Sequence, residues 1–280
     1  MPPRETAVAE RPRSWRAMPA PARAAARGTA CWAALALGAA AGWGAPPAGP
    51  GPAAGPGAPA PAAGPRAPAP QGAAQRYLAL GDSYTIGEGI EPAGRWPVQL
   101  AALLRRHGLA AGEPEIVART GWTTAELGAG IDAAAPRGPF ALVSLLIGVN
   151  DQYRGGLPED YRPAFAALLR RAIAFAGGEP DRVIVLSIPD WSVTSFAIAS
   201  GRDLPRIARE IRRFNEVNRE ETGRAGARYV DVTAASEKAL GDSAQLAPDG
   251  LHPSATMYAE WARLALPAAT AALAGTRGSR

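Results

Sequence analysis

The 280 residues include only two histidines and one cysteine, so any imidazole chemistry rests on His107 or His252. His252 closes the run Asp249-Gly250-Leu251-His252-Pro253. A carboxylate three residues earlier in a turn can hold the ring tautomer and stabilise the imidazolium. His107 follows Arg105-Arg106 near a predicted helix end, where a cation suits the dipole, and reads as structural. Three further groups stand just after apolar runs: Ser83 in Gly81-Asp82-Ser83-Tyr84-Thr85, Gly121 in Thr120-Gly121-Trp122, and Asn150 in Gly148-Val149-Asn150-Asp151. A serine hydroxyl is a weak nucleophile at neutral pH and needs a base within hydrogen-bond reach, which His252 can supply. The tetrahedral intermediate of acyl transfer needs preplaced donors for its oxyanion. The backbone N–H groups of Ser83 and Gly121 and the side-chain amide of Asn150 can provide three. This set fits carboxylic ester hydrolysis, with Ser83, Asp249 and His252 catalytic and Ser83, Gly121 and Asn150 forming the oxyanion hole. Each residue also has a plainer use. Ser83 could cap a helix, Gly121 could supply a positive φ, Asn150 could form a turn, and Asp249 and His252 could be a solvated turn. Asp82 and Asp151 read as orienting groups. So few cysteines and histidines exclude zinc clusters, thiolate iron sites and disulfide frameworks, so neither metal nor cofactor is expected.

The elements that must position these groups are legible in the period of the chain. Tyr77–Leu80, Glu115–Ala118, Phe140–Ile147, Val183–Ile188 and Tyr229–Val232 are short apolar runs ending in turn residues, and read as strands. Between and after them, Trp96–Arg106, Thr123–Ala134, Pro158–Ala176, Leu204–Glu221 and Ser254–Leu273 read as helices, the last with Pro253 in its first turn. Alternating strands that are apolar on both faces predict a three-layer α/β/α sandwich around a five-stranded parallel sheet. Ligands of such sheets bind beyond the carboxyl ends of the strands, where Ser83, Gly121 and Asn150 fall.

These residues carry a resemblance. Gly81-Asp82-Ser83-Tyr84, Gly121, Gly148-x-Asn150-Asp151 and Asp249-x-x-His252 are similar, in order, to the four blocks of the SGNH (GDSL-type) hydrolases. The similarity spans about residues 76–270. It implies a flavodoxin-like sandwich, serine esterase or lipase activity, Ser83 as nucleophile, Gly121 and Asn150 as oxyanion donors, and Asp249 with His252 completing the triad. Tyr84 departs from the family's namesake leucine. A second tripeptide, Gly241-Asp242-Ser243, has no apolar strand leading into it and reads as surface loop. Ser83 also lacks the G-x-S-x-G elbow of α/β-hydrolases.

Pro189-Asp190-Trp191-Ser192-Val193-Thr194-Ser195-Phe196, together with Trp122 and Tyr153, falls on the same rim. Trp122, Tyr153, Asp190 and Trp191 are the candidate substrate-binding residues, with packing of the loop on the sheet as the other reading. No extended apolar loop offers a channel for a long chain, so the expected substrate is a small-molecule ester with a small acyl group. Two other readings are a catalytically silent carbohydrate-binding module, marked by a missing triad member, and a surface-display head, marked by normal export without ester hydrolysis.

The net charge of +5 is concentrated at the start: residues 1–74 hold seven arginines against Glu5 and Glu10, and the rest of the chain balances. With no net basic field in the folded part, nucleic acid is not an expected partner. Residues 1–45 place a basic stretch before the apolar run 28–45, the layout of an export signal, or of a membrane anchor if uncleaved. Starting at Met18 instead of Met1 gives the basic stretch an ordinary length. Residues 46–74 are Pro, Ala and Gly apart from Arg66 and Gln71. That composition predicts a disordered linker. The expected product is an exported monomer, periplasmic, secreted or membrane-tethered, with its hydrolase domain at 75–276.

Overall fold

The computed structural model describes residues 74–274. The predicted export segment and linker, apart from Ala74, lie outside the described residues. Five strands, β1 (Gln75–Gly81), β2 (Ala111–Ala118), β3 (Leu142–Leu146), β4 (Val183–Leu186) and β5 (Arg228–Val230), form one sheet in the order β2-β1-β3-β4-β5, every neighbouring pair parallel. Nine α-helices accompany them among the described residues: α1 (Ser83–Ile86), α2 (Trp96–Arg106), α3 (Thr124–Ala134), α4 (Val149–Tyr153), α5 (Pro158–Phe175), α6 (Ser195–Ser200), α7 (Leu204–Arg224), α8 (Thr233–Ser236) and α9 (Ala255–Ala274).

Parallel neighbours require crossover connections, and these are right-handed. The step from β1 to β2 runs toward one edge of the sheet, and the steps from β2 through β5 run back toward the other. A fixed hand therefore puts α2 on one face and α3, α5 and α7 on the opposite face. Helix α9 packs on α2, while α5 packs on α3 and α7. Every residue of β3 and β4 is buried, as strands covered on both faces must be. The winding reverses between β1 and β3, which opens a crevice at their carboxyl ends. Ser83 follows β1 and Asn150 follows β3.

The predicted sandwich is the observed one, with local differences. Strand β2 starts at Ala111 and takes in Pro114, ahead of the predicted run Glu115–Ala118. An edge strand tolerates the missing N–H. Strand β5 stops at Val230, and β3 is trimmed to Leu142–Leu146. Pro253 is not in the first turn of the last helix. It pairs with Leu246 in an isolated antiparallel bridge, and α9 starts at Ala255, where Ser254 Oγ accepts the Met257 N–H at 3.4 Å. His107 is the C-cap of α2, as its position predicted.

Candidate active site

Strand β1 delivers the chain into a tight reversal. A Cβ at Gly81 would lie 2.1 Å from Thr85 Oγ1 and 2.5 Å from the Leu146 carbonyl, so a side chain there has no room. The fully buried Asp82 caps α1, its Oδ1 accepting the Tyr84 N–H at 3.0 Å. The cap is thus Asp82, not Ser83. Ser83 opens the helix, where first-turn N–H groups have no intrahelical acceptor. Its carbonyl receives the N–H groups of Gly87 and Glu88 at 3.0 and 3.1 Å. Burial pushes the Asp82 carboxyl up to about 8, against the Tyr84 N–H and helped by the charge of Asp151. Its Oδ2 has no partner among the described residues. Asp242 makes the same cap on Ala244 at 3.0 Å, yet Gly241, Asp242 and Ser243 are exposed, as the absence of a leading strand predicted.

The loop after β2 is tied to α1 on one side and α4 on the other. Gly121 has φ +82°, which only glycine adopts without strain. Thr120 Oγ1 donates to the Glu88 carboxylate. Asn150 Nδ2 donates to the Trp122 carbonyl at 3.0 Å, and an amide has a second N–H to offer. Asp151 Oδ2 accepts from Thr124 N and Oγ1 at 3.0 and 2.9 Å. Arg154 Nη2 donates to the Gly121 carbonyl at 2.6 Å, and its Nη1 to Glu126 at 3.2 Å. Glu126 in turn closes a capping box with Thr123 at the start of α3.

His252 is 4% exposed, and its Nδ1 lies 2.6 Å from Asp249 Oδ2. That contact places the proton on Nδ1 and leaves the Nε2 lone pair free. Asp249 Oδ1 accepts the N–H groups of Leu251 and His252 at 2.9 and 3.0 Å. Partial burial opposes the charged form of Asp249, but the bonds from His252 and the Leu251 N–H prevail and hold its pKa at about 2. The turn is clamped from α6: Phe196 N–H and Ser195 Oγ both donate to the Gly250 carbonyl, at 3.0 and 3.1 Å. The His252 ring lies against Tyr84, the neighbour of Ser83, with ring centroids 5.4 Å apart.

The four rim candidates separate. Trp122 is half-buried and seated on α3, so close that a Cβ at Gly130 would lie 2.1 Å from its ring. Tyr153 is also half-buried, its ring tilted against that of Trp191 at 5.5 Å between centroids and covered by the Arg202 guanidinium at 4.0 Å. Trp191 is only 2% exposed, and its Nε1 donates to Gln152 Oε1 at 2.9 Å. Asp190 is likewise buried and accepts the Ser192 N–H at 2.9 Å. Both lie deeper than Trp122 and Tyr153. Arg154, Arg202 and Glu88 were missed. Arg154 stands one turn beyond Asn150, the spacing that could have drawn attention to it.

A sequence model of the GDSL-like Lipase/Acylhydrolase family matches residues 79–260. No curated protein matches the sequence. Several solved structures share the fold. TesA is 23% identical with a TM-score of 0.56, covering 71% of this chain and 100% of its own. A variant of Axe2, an acetyl-xylooligosaccharide esterase from Geobacillus, is 20% identical with a TM-score of 0.53, covering 71% and 95%. A member of the lipolytic protein G-D-S-L family from Veillonella parvula is 18% identical with a TM-score of 0.51, covering 69% and 96%.

Proposed function

Since the chain belongs to the GDSL-like lipase/acylhydrolase family, we propose that it hydrolyses carboxylic esters of small acyl groups through an acyl-enzyme on Ser83. The observation that carries this reading is the 2.6 Å pair of His252 and Asp249 beside the Ser83 turn. His252 Nε2 takes the Ser83 proton as Oγ bonds to the carbonyl carbon, and the carbonyl electron pair moves onto oxygen. The N–H groups of Ser83 and Gly121 and the second N–H of Asn150 receive that oxyanion. Collapse breaks the ester C–O bond, and His252 passes its proton to the departing alcohol. Water then repeats the sequence, with His252 as base, releasing the acid and restoring Ser83. Asp249 keeps the ring oriented and stabilises the imidazolium. The preference for small acyl groups rests on the sequence, which offers no extended apolar loop from which a channel for a long chain could be built.

The test is turnover of 4-nitrophenyl esters of increasing acyl length by the full chain and by Ser83→Ala. Wild type should be fastest on acetate and propionate, and the variant should lose nearly all activity. A Ser83→Ala protein that keeps its rate would refute the nucleophile, and a maximum at long chains would refute the acyl preference.

A further inference from the structure

Arg202, on the rim beyond Asn150, forms no ion pair among the described residues. Arg202 is exposed, and its guanidinium centre lies 4.0 Å from the Tyr153 ring centroid and 5.8 Å from that of Trp191. Its side chain makes one hydrogen bond among the described residues, Nη1 to the Tyr153 carbonyl at the long distance of 3.5 Å. Most of its five N–H donors are therefore open. Its chain neighbour Asp203 caps α7, accepting the Arg206 N–H at 2.9 Å.

The cation is also held in place. Gly201 ends α6 in the left-handed conformation and Asp203 starts α7, so Arg202 sits on a link of one residue between two caps. Its N–H adds a bond to Ser200 Oγ at 3.2 Å. A guanidinium fixed on a ring face in this way loses little freedom when an anion arrives.

Position ties the cation to the rim of the site. Tyr153 lies one helical turn beyond Asn150 on α4, and its neighbour Arg154 grips Gly121. Helix α6 starts at Ser195, which donates to the Gly250 carbonyl in the turn of His252, and Arg202 follows its C-cap Gly201. We propose that Arg202, seated on Tyr153, is a specificity-determining residue that selects esters carrying an anionic group, such as half-esters of small dicarboxylic acids. The inference rests on the esterase reading for its reaction, though not for its binding.

Two measurements separate the readings. The full chain is assayed on the 4-nitrophenyl monoester of adipic acid and on its neutral methyl-capped diester, as wild type, Arg202→Gln and Arg202→Lys. Wild type should favour the anion about ten-fold in kcat/KM, the size expected of a charge-assisted hydrogen bond. Arg202→Gln should bring the ratio to near one, and Arg202→Lys should keep part of it. A wild-type ratio near one, or one that survives Arg202→Gln, overturns the proposal while leaving the esterase reading intact. Calorimetric binding of monomethyl adipate provides the second measurement. Binding that depends on Arg202 without Ser83-dependent hydrolysis of any ester sustains the anion site and refutes the esterase. Absence of binding together with absence of a preference refutes the site.

Discussion

Asp82 offers a prediction about stability that does not depend on the reaction. In an unfolded chain an aspartate loses its proton near pH 3.9. In the fold, burial keeps the proton on Asp82 up to about 8. Between these values the native state binds the extra proton, so stability falls as pH rises, by about 1.4 kcal/mol per unit from this group. Below about pH 4 both states are protonated and above about pH 8 both are charged, so the contribution flattens outside that window. The accumulated loss is on the order of 5 kcal/mol, comparable with the whole stability of many domains. Asp82→Asn keeps an oxygen for the Tyr84 N–H and removes the titration. Its amide leaves a buried donor open, which shifts stability by a roughly constant amount and leaves the slope alone. Urea midpoints of the full chain at pH 5, 6, 7 and 8 should therefore fall steeply for wild type and much less for the variant, with the gap closing or reversing toward pH 8. Groups common to both proteins, including Asp249 and His252, cancel in the comparison. Parallel pH slopes would refute the assignment of a buried neutral carboxyl to Asp82.

Asn150→Ala should lower kcat by about 10²–10³ with a much smaller change in KM, because an oxyanion donor acts in the transition state. An effect confined to KM would remove Asn150 from that role. Arg154→Ala should lower kcat about ten-fold by releasing the Gly121 carbonyl, at the scale of a lost charged hydrogen bond. Partial recovery of kcat with Arg154→Lys and unchanged thermal midpoints would separate positioning from folding, and an unaffected kcat would contradict it. Antibody detection after fractionation of the producing cells should place the protein in membrane or exported fractions; exclusive recovery in the cytosol would refute the export reading of residues 28–45.

The fold was readable where burial imposes a pattern. Strands that lie between two helical layers are apolar on both faces, so Phe140–Ile147 and Val183–Ile188, interrupted only by Ser144 and Ser187, stand out with no knowledge of their partners. The edge strand β2 alternates less cleanly and contains Pro114, and its first half escaped for that reason. Helix α4 has five residues and α6 has six, too few to display a 3.6-residue period, yet both hold parts of the site. The contacts of Arg154 with Gly121 and of Arg202 with Tyr153 join different loops of the rim. Local pattern cannot reveal such pairs, because their spacing is set by the order of strands in the sheet. Trp191 was ambiguous for a related cause: an indole serves a core or a rim equally, and only its burial and its bond to Gln152 decide.

The motif residues that do no chemistry explain why the reactive ones come in blocks. Asp82 caps the helix that Ser83 opens, and Asp151 holds Thr124 beside the Asn150 that grips the Trp122 carbonyl. Glu88, bonded through its N–H to Ser83 and through its carboxylate to Thr120, ties the nucleophile turn to the Gly121 loop. The donors assigned to the oxyanion thus hold one another at a fixed spacing before any substrate binds, which is where preorganised electrostatic stabilisation gets its strength. His252 is held separately, by Asp249 within its own turn and by Ser195 and Phe196 through Gly250. A perturbation of α6 should therefore reach the general base and the anion site at Arg202 together, while the oxyanion donors stay in place. The turn of His252 is clamped by the start of α6 and Arg202 follows its end, while the donors are fastened to β1, α3 and α4.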